Sequence, residues 1–203
     1  MCSSDLSAVL LYDAAYVTVR DLELTNRAGS SLICGLQGGH VNAAVVHVLV
    51  VHVAVYIMDA DGLQLAIDSM QDCLKDVDFD VITGLESRGF IFGMPIAYNL
   101  HKPFVLVRKA GKLPCETVSR TYDLEYGSAT IEMHKDSIKP GQKVVIIDDL
   151  IATGGSVEAA IKLVEELGGI VVKVVFLMEL AGLKGRERLK GYDVASVIRY
   201  DGK

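Results

Sequence analysis

The 203-residue chain contains no tryptophan, and aromatic residues make up only 6% of it. It therefore offers no obvious surface on which bases or sugar rings could stack. An excess of positive charge is also missing, because 26 acidic residues outnumber 20 basic ones and give a formal net charge of -6. A nucleic-acid partner held through its phosphate backbone is therefore not expected.

None of the four cysteines belongs to a CxxC pair. The wide spacing of Cys2, Cys34, Cys73 and Cys115 disfavours a disulfide framework or a zinc knuckle. Reduced thiols are the expected state, which predicts a cytoplasmic protein.

Charged residues are absent from residues 28–58. The apolar run at 43–58 is shorter than the about 20 residues of a membrane-spanning helix, and it contains His47 and His52. Its valine content favours one or two buried strands, so no membrane span is expected. The two histidines would lie on different faces of a helix or a strand, and alone they do not predict a metal site.

From residue 59 onward, short apolar runs alternate with amphipathic segments. Helices are predicted over 59–76, 87–100 and 156–168, and strands over 79–84, 103–109, 129–135, 142–150, 170–180 and 194–200. This alternation predicts an α/β domain with a mostly parallel, twisted sheet flanked by helices. Residues 110–128 show no sustained period and are predicted to form a long, flexible functional loop.

The stretch VVIIDDLIATGGS, residues 144–156, joins a buried strand to a helix through a glycine turn. Ligands bind at the carboxyl ends of strands in such sheets. Free backbone N–H groups at the start of the helix, together with its dipole, predict an anion site that needs no basic side chain. The residues of this turn are Ala152, Thr153, Gly154, Gly155 and Ser156.

Asp148 and Asp149 precede this turn. Carboxylates repel phosphate but accept hydrogen bonds from hydroxyl groups. A ligand with a phosphate at one end and vicinal hydroxyls nearby, such as a ribose 5-phosphate, suits both features. The alternative is that the two acids only cap the next helix.

These residues carry a resemblance to a known family. VVIIDDLIATGGS resembles the phosphoribosyl pyrophosphate signature of type I phosphoribosyltransferases. Three further stretches, GLESRGFIFG (84–93), VRKAGKLP (107–114) and YDLEYG (122–127), are similar to the adenine phosphoribosyltransferases, and the resemblance covers about residues 59–200. That family converts adenine and phosphoribosyl pyrophosphate, with magnesium, into AMP and pyrophosphate, and its members are usually homodimers.

The resemblance implies a role for each part of the signature. Residues 152–156 would hold the 5-phosphate, while Asp148 and Asp149 would bind the ribose 2- and 3-hydroxyls. Two carboxylates there would also favour the positive charge that develops on the ribosyl group as pyrophosphate leaves. Magnesium would be held by substrate oxygens and water, with no direct protein ligand.

Contacts to the substrate's pyrophosphate are implied on two neighbouring loops. The residues are Ser87, Arg88, Arg108, Lys109 and Lys112. A non-proline cis peptide bond is implied between Glu86 and Ser87. The alternative for the basic residues is a solvated surface cluster.

Glu125 is the candidate proton-transfer group. By resemblance it lies on the loop that closes over the site, near the purine imidazole ring, where a nitrogen must exchange a proton. Tyr126 and Tyr122 would pack over the closed site and help to exclude water.

The amino-terminal part departs from the family. Members carry a segment of the form FRDITPLL that helps to recognise adenine, and no such segment precedes Asp61. Residues 1–58 are a divergent recognition segment, an unrelated extension, or a non-native reading joined to a domain at 59–203. Two other functions stay open: a binding or regulatory protein without turnover, and a transferase for xanthine or hypoxanthine.

Overall fold

The computed structural model describes residues 57–123 and 127–201, together with the backbone of 23–25 and 31–33. The strands predicted in the apolar run at 43–58 fall almost wholly outside the described residues, as do Glu125 and Tyr126. None of the helices in the described part is long and apolar enough to cross a membrane.

The described residues contain three α-helices, two short 3-10 helices and nine strands. The helices are α1 (Ala60–Asp72), α2 (Arg88–Asn99) and α3 (Gly155–Glu166). The strands are β1 (Glu23–Thr25), β2 (Ser31–Ile33), β3 (Val81–Leu85), β4 (Phe104–Lys109), β5 (Thr117–Asp123), β6 (Ser128–His134), β7 (Lys143–Ile151), β8 (Ile170–Leu180) and β9 (Val194–Tyr200).

Seven of these strands form one mixed sheet in the order β5-β6-β4-β3-β7-β8-β9. The pairs from β4 through β3, β7 and β8 to β9 are parallel, while β6 is antiparallel to both β4 and β5. β1 and β2 form a separate antiparallel pair. The predicted α/β fold with a mostly parallel sheet flanked by helices is confirmed.

Strand β5 corrects the prediction of a long loop over residues 110–128. Thr117–Asp123 pairs antiparallel with β6 along its whole length, from Thr117 opposite His134 to Asp123 opposite Ser128. The strand lies at the edge of the sheet, and most of its side chains are exposed or half-buried. An edge strand needs little apolar alternation, because its partner's backbone supplies the hydrogen bonds.

The core forms two layers on opposite faces of the sheet. Along β7, Val145 and Ile147 face the layer that contains α1 and α2, whereas Val144 and Ile146 face the layer that contains α3. This is the alternation of a central strand buried on both sides.

Helix α1 begins where its sequence predicts. Asp59 is the N-cap residue, and its Oδ2 accepts a hydrogen bond of 2.7 Å from the backbone N–H of Gly62. Such a cap satisfies one of the helix's free donors. The buried side chains of Ala66 and Met70 attach the helix to the core beside α2.

Candidate active site

A cavity of about 370 Å³ opens beside the carboxyl ends of β3, β4 and β7. This is the position at which ligands bind in parallel α/β sheets. Its wall combines acidic, basic and hydroxyl side chains with a few apolar ones. The lining residues are Leu85, Glu86, Ser87, Arg88, Lys109, Tyr122, Ile131, Asp148, Asp149, Leu150 and Ser156.

Asp148 and Asp149 lie in the last part of β7, which ends at Ile151, within one residue of the strand predicted over 142–150. Their side chains are 9% and 3% exposed. Both acids lie at the start of α2: a Cβ on Gly89 would be 3.1 Å from Asp148 Oδ1, and Arg88 pairs with Asp149. The two carboxylates therefore line the same cavity beside one helix end.

The two acids also bond each other and Arg88. The backbone N–H of Asp149 donates to Asp148 Oδ1 at 2.9 Å. Arg88 Nε lies 2.6 Å from Asp149 Oδ2. The ion pair is close but poorly aligned, because Asp149 Oδ2 has no partner with hydrogen-bond geometry among the described residues. This buried oxygen can therefore accept a hydrogen bond from a ligand.

Burial controls the ionisation of the pair. Loss of solvent, followed by the charge of Asp149, raises the pKa of Asp148 well above its usual value of 3.8. Loss of solvent also raises the pKa of Asp149, although the charge of Arg88 opposes that rise. Asp149 thus ionises more readily, since it has the arginine beside it. Burial and the charge of Asp148 raise the pKa of Tyr122, which lines the same cavity.

The turn after β7 presents backbone donors to the cavity side of α3. Gly154 is the N-cap residue with φ of 80°, and no side chain caps the helix there. The first N–H groups of α3 therefore stay free of capping side chains, as an anion-binding turn requires. Ser156 lines the cavity, whereas Ala152, Thr153 and Gly155 belong to the same turn without lining it.

Arg88 is the first residue of α2, and Ser87 is its N-cap. The peptide bond between Glu86 and Ser87 is cis, as the resemblance implied. Gly89 allows the start of α2 to lie directly on β7, because a Cβ there would be 2.7 Å from the carbonyl oxygen of Ile147. This close approach brings the Arg88 guanidinium to Asp149.

The three basic residues predicted on the second loop do not all reach the cavity. Lys109 lines it. Arg108 instead donates from Nε to Glu86 Oε2 at 3.1 Å and from Nη1 to the carbonyl of Lys112 at 3.2 Å. The N–H of Lys112 donates to buried Glu132 Oε1 at 2.9 Å. The structure therefore brings Lys109 to Asp148 and Asp149 but leaves Arg108 and Lys112 outside the wall.

Glu86 is the charged residue of the wall that the sequence did not predict. Its Oε2 accepts hydrogen bonds from Arg108 Nε and from the N–H of Lys109. Burial alone would raise the pKa of Glu86, but these hydrogen bonds and the charges of Arg108 and Lys112 together outweigh it and lower the pKa. A carboxylate directly after β3 and before Arg88 was the available signal. Its contact with β4 depends on strand pairing and could not be read from spacing.

Metal ligands are scarce around the cavity. In the part of the chain that the structure describes, no group of three or more His, Cys, Asp or Glu side chains is arranged to hold a metal ion. Asp148 and Asp149 supply hard oxygen atoms, which suit magnesium when the remaining ligands come from a substrate or water.

The sheet order, the buried acid pair and the glycine turn together define a type I phosphoribosyltransferase. The family model described as "Phosphoribosyl transferase domain" matches residues 60–199. The chain belongs to the adenine phosphoribosyltransferases of that family, as the sequence motifs predicted.

Relatives and solved structures support this assignment. The adenine phosphoribosyltransferase of Agathobacter rectalis is 75% identical over 147 residues, which are 72% of this chain and 84% of that protein. The crystal structure of the enzyme from Thermoanaerobacter pseudethanolicus matches with a TM-score of 0.71 and 41% identity, over 90% of this chain and 96% of that one. The enzyme from Saccharomyces cerevisiae, in complex with adenine and an imino-altritol bisphosphate, matches with a TM-score of 0.65 and 44% identity, over 70% of this chain and 82% of that one.

Proposed function

We propose that this protein acts in purine salvage and transfers the 5-phosphoribosyl group from phosphoribosyl pyrophosphate to adenine. The products are AMP and pyrophosphate. The observation that carries this proposal is a single cavity that joins two buried acids, Asp148 and Asp149, to the start of α3 at Ser156 and to two cations, Arg88 and Lys109. Relatives with this motif are named for that activity.

The groups of the cavity suit the three parts of the donor substrate. The turn at 152–156 holds the 5-phosphate through its N–H groups. Asp148 and Asp149 accept hydrogen bonds from the ribose hydroxyls and favour the positive ribosyl centre as pyrophosphate leaves. Arg88 and Lys109 neutralise the pyrophosphate, with Ser87 beside them.

Arg108 and Lys112 have a different place in the proposal. They lie next to Lys109 but bond Glu86 and Glu132 instead of lining the cavity. They reach the pyrophosphate only if the segment that follows β4 closes on the bound substrate.

Glu125 is proposed as the group that exchanges a proton with the purine, and Tyr126 as a cover for the closed site. Both lie outside the described residues, and the motif YDLEYG supports the assignment. Tyr122, the first residue of that motif and the last but one of β5, lines the cavity together with Asp148. The first residue of the motif therefore lies in the wall of the candidate active site.

Magnesium is proposed to enter with the substrate. It would be held by pyrophosphate oxygens and water, with no direct protein ligand. When bound, it supplies positive charge to the leaving pyrophosphate.

A homodimer is supported by the surface of α2. Ile91, Met94 and Tyr98 lie on one face of this helix and are 38%, 53% and 86% exposed. Apolar side chains with this spacing form a stripe that a second copy would cover.

A cytoplasmic location is also proposed. The exposed free thiol of Cys115 suits this location.

A pyrophosphate-release assay with adenine, hypoxanthine, guanine and xanthine in turn tests the proposed function. We expect release with adenine and much less with the other bases. Release with another base alone would reassign the substrate. If no base gives release, on protein shown to be folded by circular dichroism, the proposed enzymatic activity is wrong, and a binding protein without turnover is favoured instead.

A further inference from the structure

The segment between β8 and β9 contains a hydrogen-bond network that the cavity does not include. Arg186 lies in the second of two short 3-10 helices, Ala181–Leu183 and Gly185–Leu189. Its Nε donates to Glu179 Oε2 at 2.7 Å, its Nη1 to the carbonyl of Val194 at 2.7 Å and its Nη2 to Ser196 Oγ at 2.9 Å.

The network is closed and partly buried. The Ser196 hydroxyl donates to the same oxygen of Glu179 at 2.7 Å, and Glu179 is only 4% exposed. A buried carboxylate needs such partners, and a planar guanidinium supplies several donors in fixed directions. Arg186 therefore ties its own segment to the ends of both β8 and β9.

Gly185, the neighbour of Arg186, lies directly against the predicted phosphate turn. A Cβ on Gly154 would be 2.7 Å from the carbonyl oxygen of Gly185. A Cβ on Gly185 would overlap the carbonyl oxygen of Ala152 and lie 2.8 Å from Ile151 Cγ1. The two backbones touch with no side chain between them, so a shift of one segment moves the other.

We infer that Arg186 is a positioning residue for the 5-phosphate: it fixes Gly185, and Gly185 supports the turn at 152–156. This inference rests on the proposed function of that turn. It implies that replacing Arg186 lowers the affinity for ligands that carry a 5-phosphate. Pyrophosphate is not affected, because its proposed contacts Arg88 and Lys109 belong to α2 and β4.

The test compares two ligands on one variant. Arg186→Gln is titrated calorimetrically with ribose 5-phosphate and with magnesium pyrophosphate. Because a displacement of about 1 Å in a supporting group can cost up to about 100-fold, we expect ribose 5-phosphate to bind on the order of 10-fold more weakly. We expect pyrophosphate affinity to be unchanged. An equal loss of affinity for both ligands, or no loss of affinity for either, would overturn the inference.

Arg120→Gln is the matched control. Arg120 lies on β5 and pairs with Glu166, the last residue of α3, at 2.8 Å; its side chain is 46% exposed, and this ion pair is at the end of the helix opposite the turn at 152–156. Its substitution should leave both affinities unchanged. A selective loss of ribose 5-phosphate binding in this variant as well would contradict a specific role for Arg186.

Ser196→Ala keeps the inference testable if Arg186→Gln does not fold. It removes one hydroxyl and leaves the Arg186–Glu179 ion pair in place. A smaller loss of affinity, again confined to ribose 5-phosphate, is expected, and a loss shared with pyrophosphate would count against the inference. The proposed function is tested separately by pyrophosphate release from the unmodified chain, so the two failures are distinguishable.

Discussion

Asp148 and Asp149 show how two adjacent residues on a strand obtain different environments. Asp149 pairs with Arg88, while burial, together with the charge of Asp148, raises the pKa of Tyr122 in the cavity that all four residues line. Both acids are buried, but only Asp149 has a cation within 4 Å among the described residues. Burial raises the pKa of both acids, but less for Asp149, because the charge of Arg88 opposes the rise.

Asp149→Asn should lower kcat/KM for phosphoribosyl pyrophosphate by about 10- to 100-fold. A hydrogen bond to a charged group contributes about 1.5–3 kcal/mol, and the variant also leaves Arg88 without its carboxylate partner. Steady-state kinetics measure the effect. Asp193→Asn is the control, because Asp193 is an exposed acid that pairs with Lys173 and does not line the cavity. Unchanged kinetics in Asp149→Asn would contradict the ribose role.

Asp148 should make stability depend on pH. Its pKa is raised in the folded state, so the unfolded chain loses the proton first as pH rises. The free energy of unfolding should therefore fall from about pH 3.8, the usual value, up to the raised pKa of the folded protein, and level off above it. Asp148→Asn should reduce this fall. Urea unfolding of both proteins at several pH values measures it, and equal slopes would refute the role of Asp148.

Glu125→Gln should lower kcat while leaving the affinity for phosphoribosyl pyrophosphate nearly intact. The amide cannot exchange the proton, but it has almost the same shape. Turnover and calorimetric titration on the same preparation separate the two quantities. Glu116→Gln, an exposed acid paired with Lys135, is the control. Equal loss of turnover and affinity in Glu125→Gln would argue for a structural role instead.

At the scale of the elements, the turn between β7 and α3 depends on backbone conformation as well as on side chains. Gly154 has φ of 80° and touches Gly185, so any side chain there is both strained and obstructed. Gly141 has φ of 84° with nothing within 4 Å of a Cβ. A comparison of the two glycines therefore separates the cost of a left-handed backbone from the cost of the contact with Gly185.

Gly154→Ala should cost more stability than Gly141→Ala and should also raise KM for phosphoribosyl pyrophosphate. Gly141→Ala should cost about 1–2 kcal/mol, the penalty of the left-handed conformation alone. Urea unfolding and kinetics on both variants test this. Equal costs, with KM unchanged in both, would show that the contact with Gly185 is unimportant.

Elements with a strong apolar period could be predicted from the sequence, and those defined by pairing could not. β7 and α3 were evident because their buried residues alternate or recur at helical spacing. β5 was missed because Ser119, Arg120 and Thr121 are exposed, and only the backbone of β6 defines the strand. The orientation of Arg108 was missed for a similar reason, since Glu86 is 22 residues away and reaches it through the pairing of β3 with β4.

At the scale of the whole molecule, the exposed face of α2 predicts self-association. Met94→Glu should shift the protein from dimer toward monomer, because it places a charge in the apolar stripe. Sedimentation velocity over a range of protein concentrations measures the shift. Ile170→Glu is the control, since Ile170 on β8 is exposed to nearly the same degree, at 52%. An unchanged sedimentation coefficient in Met94→Glu would place any dimer contact elsewhere.

The contact between Gly154 and Gly185 affects the order in which parts of the site form during synthesis and folding. The turn that follows β7 is supported by a segment that is itself tied to Val194 and Ser196 on the last strand. During synthesis from the amino end, the strand and turn at 144–156 emerge well before that support exists. Affinity for a sugar phosphate should therefore arise only when the last strand of the sheet has joined, so a nascent or shortened chain gains no stability from its substrate until then.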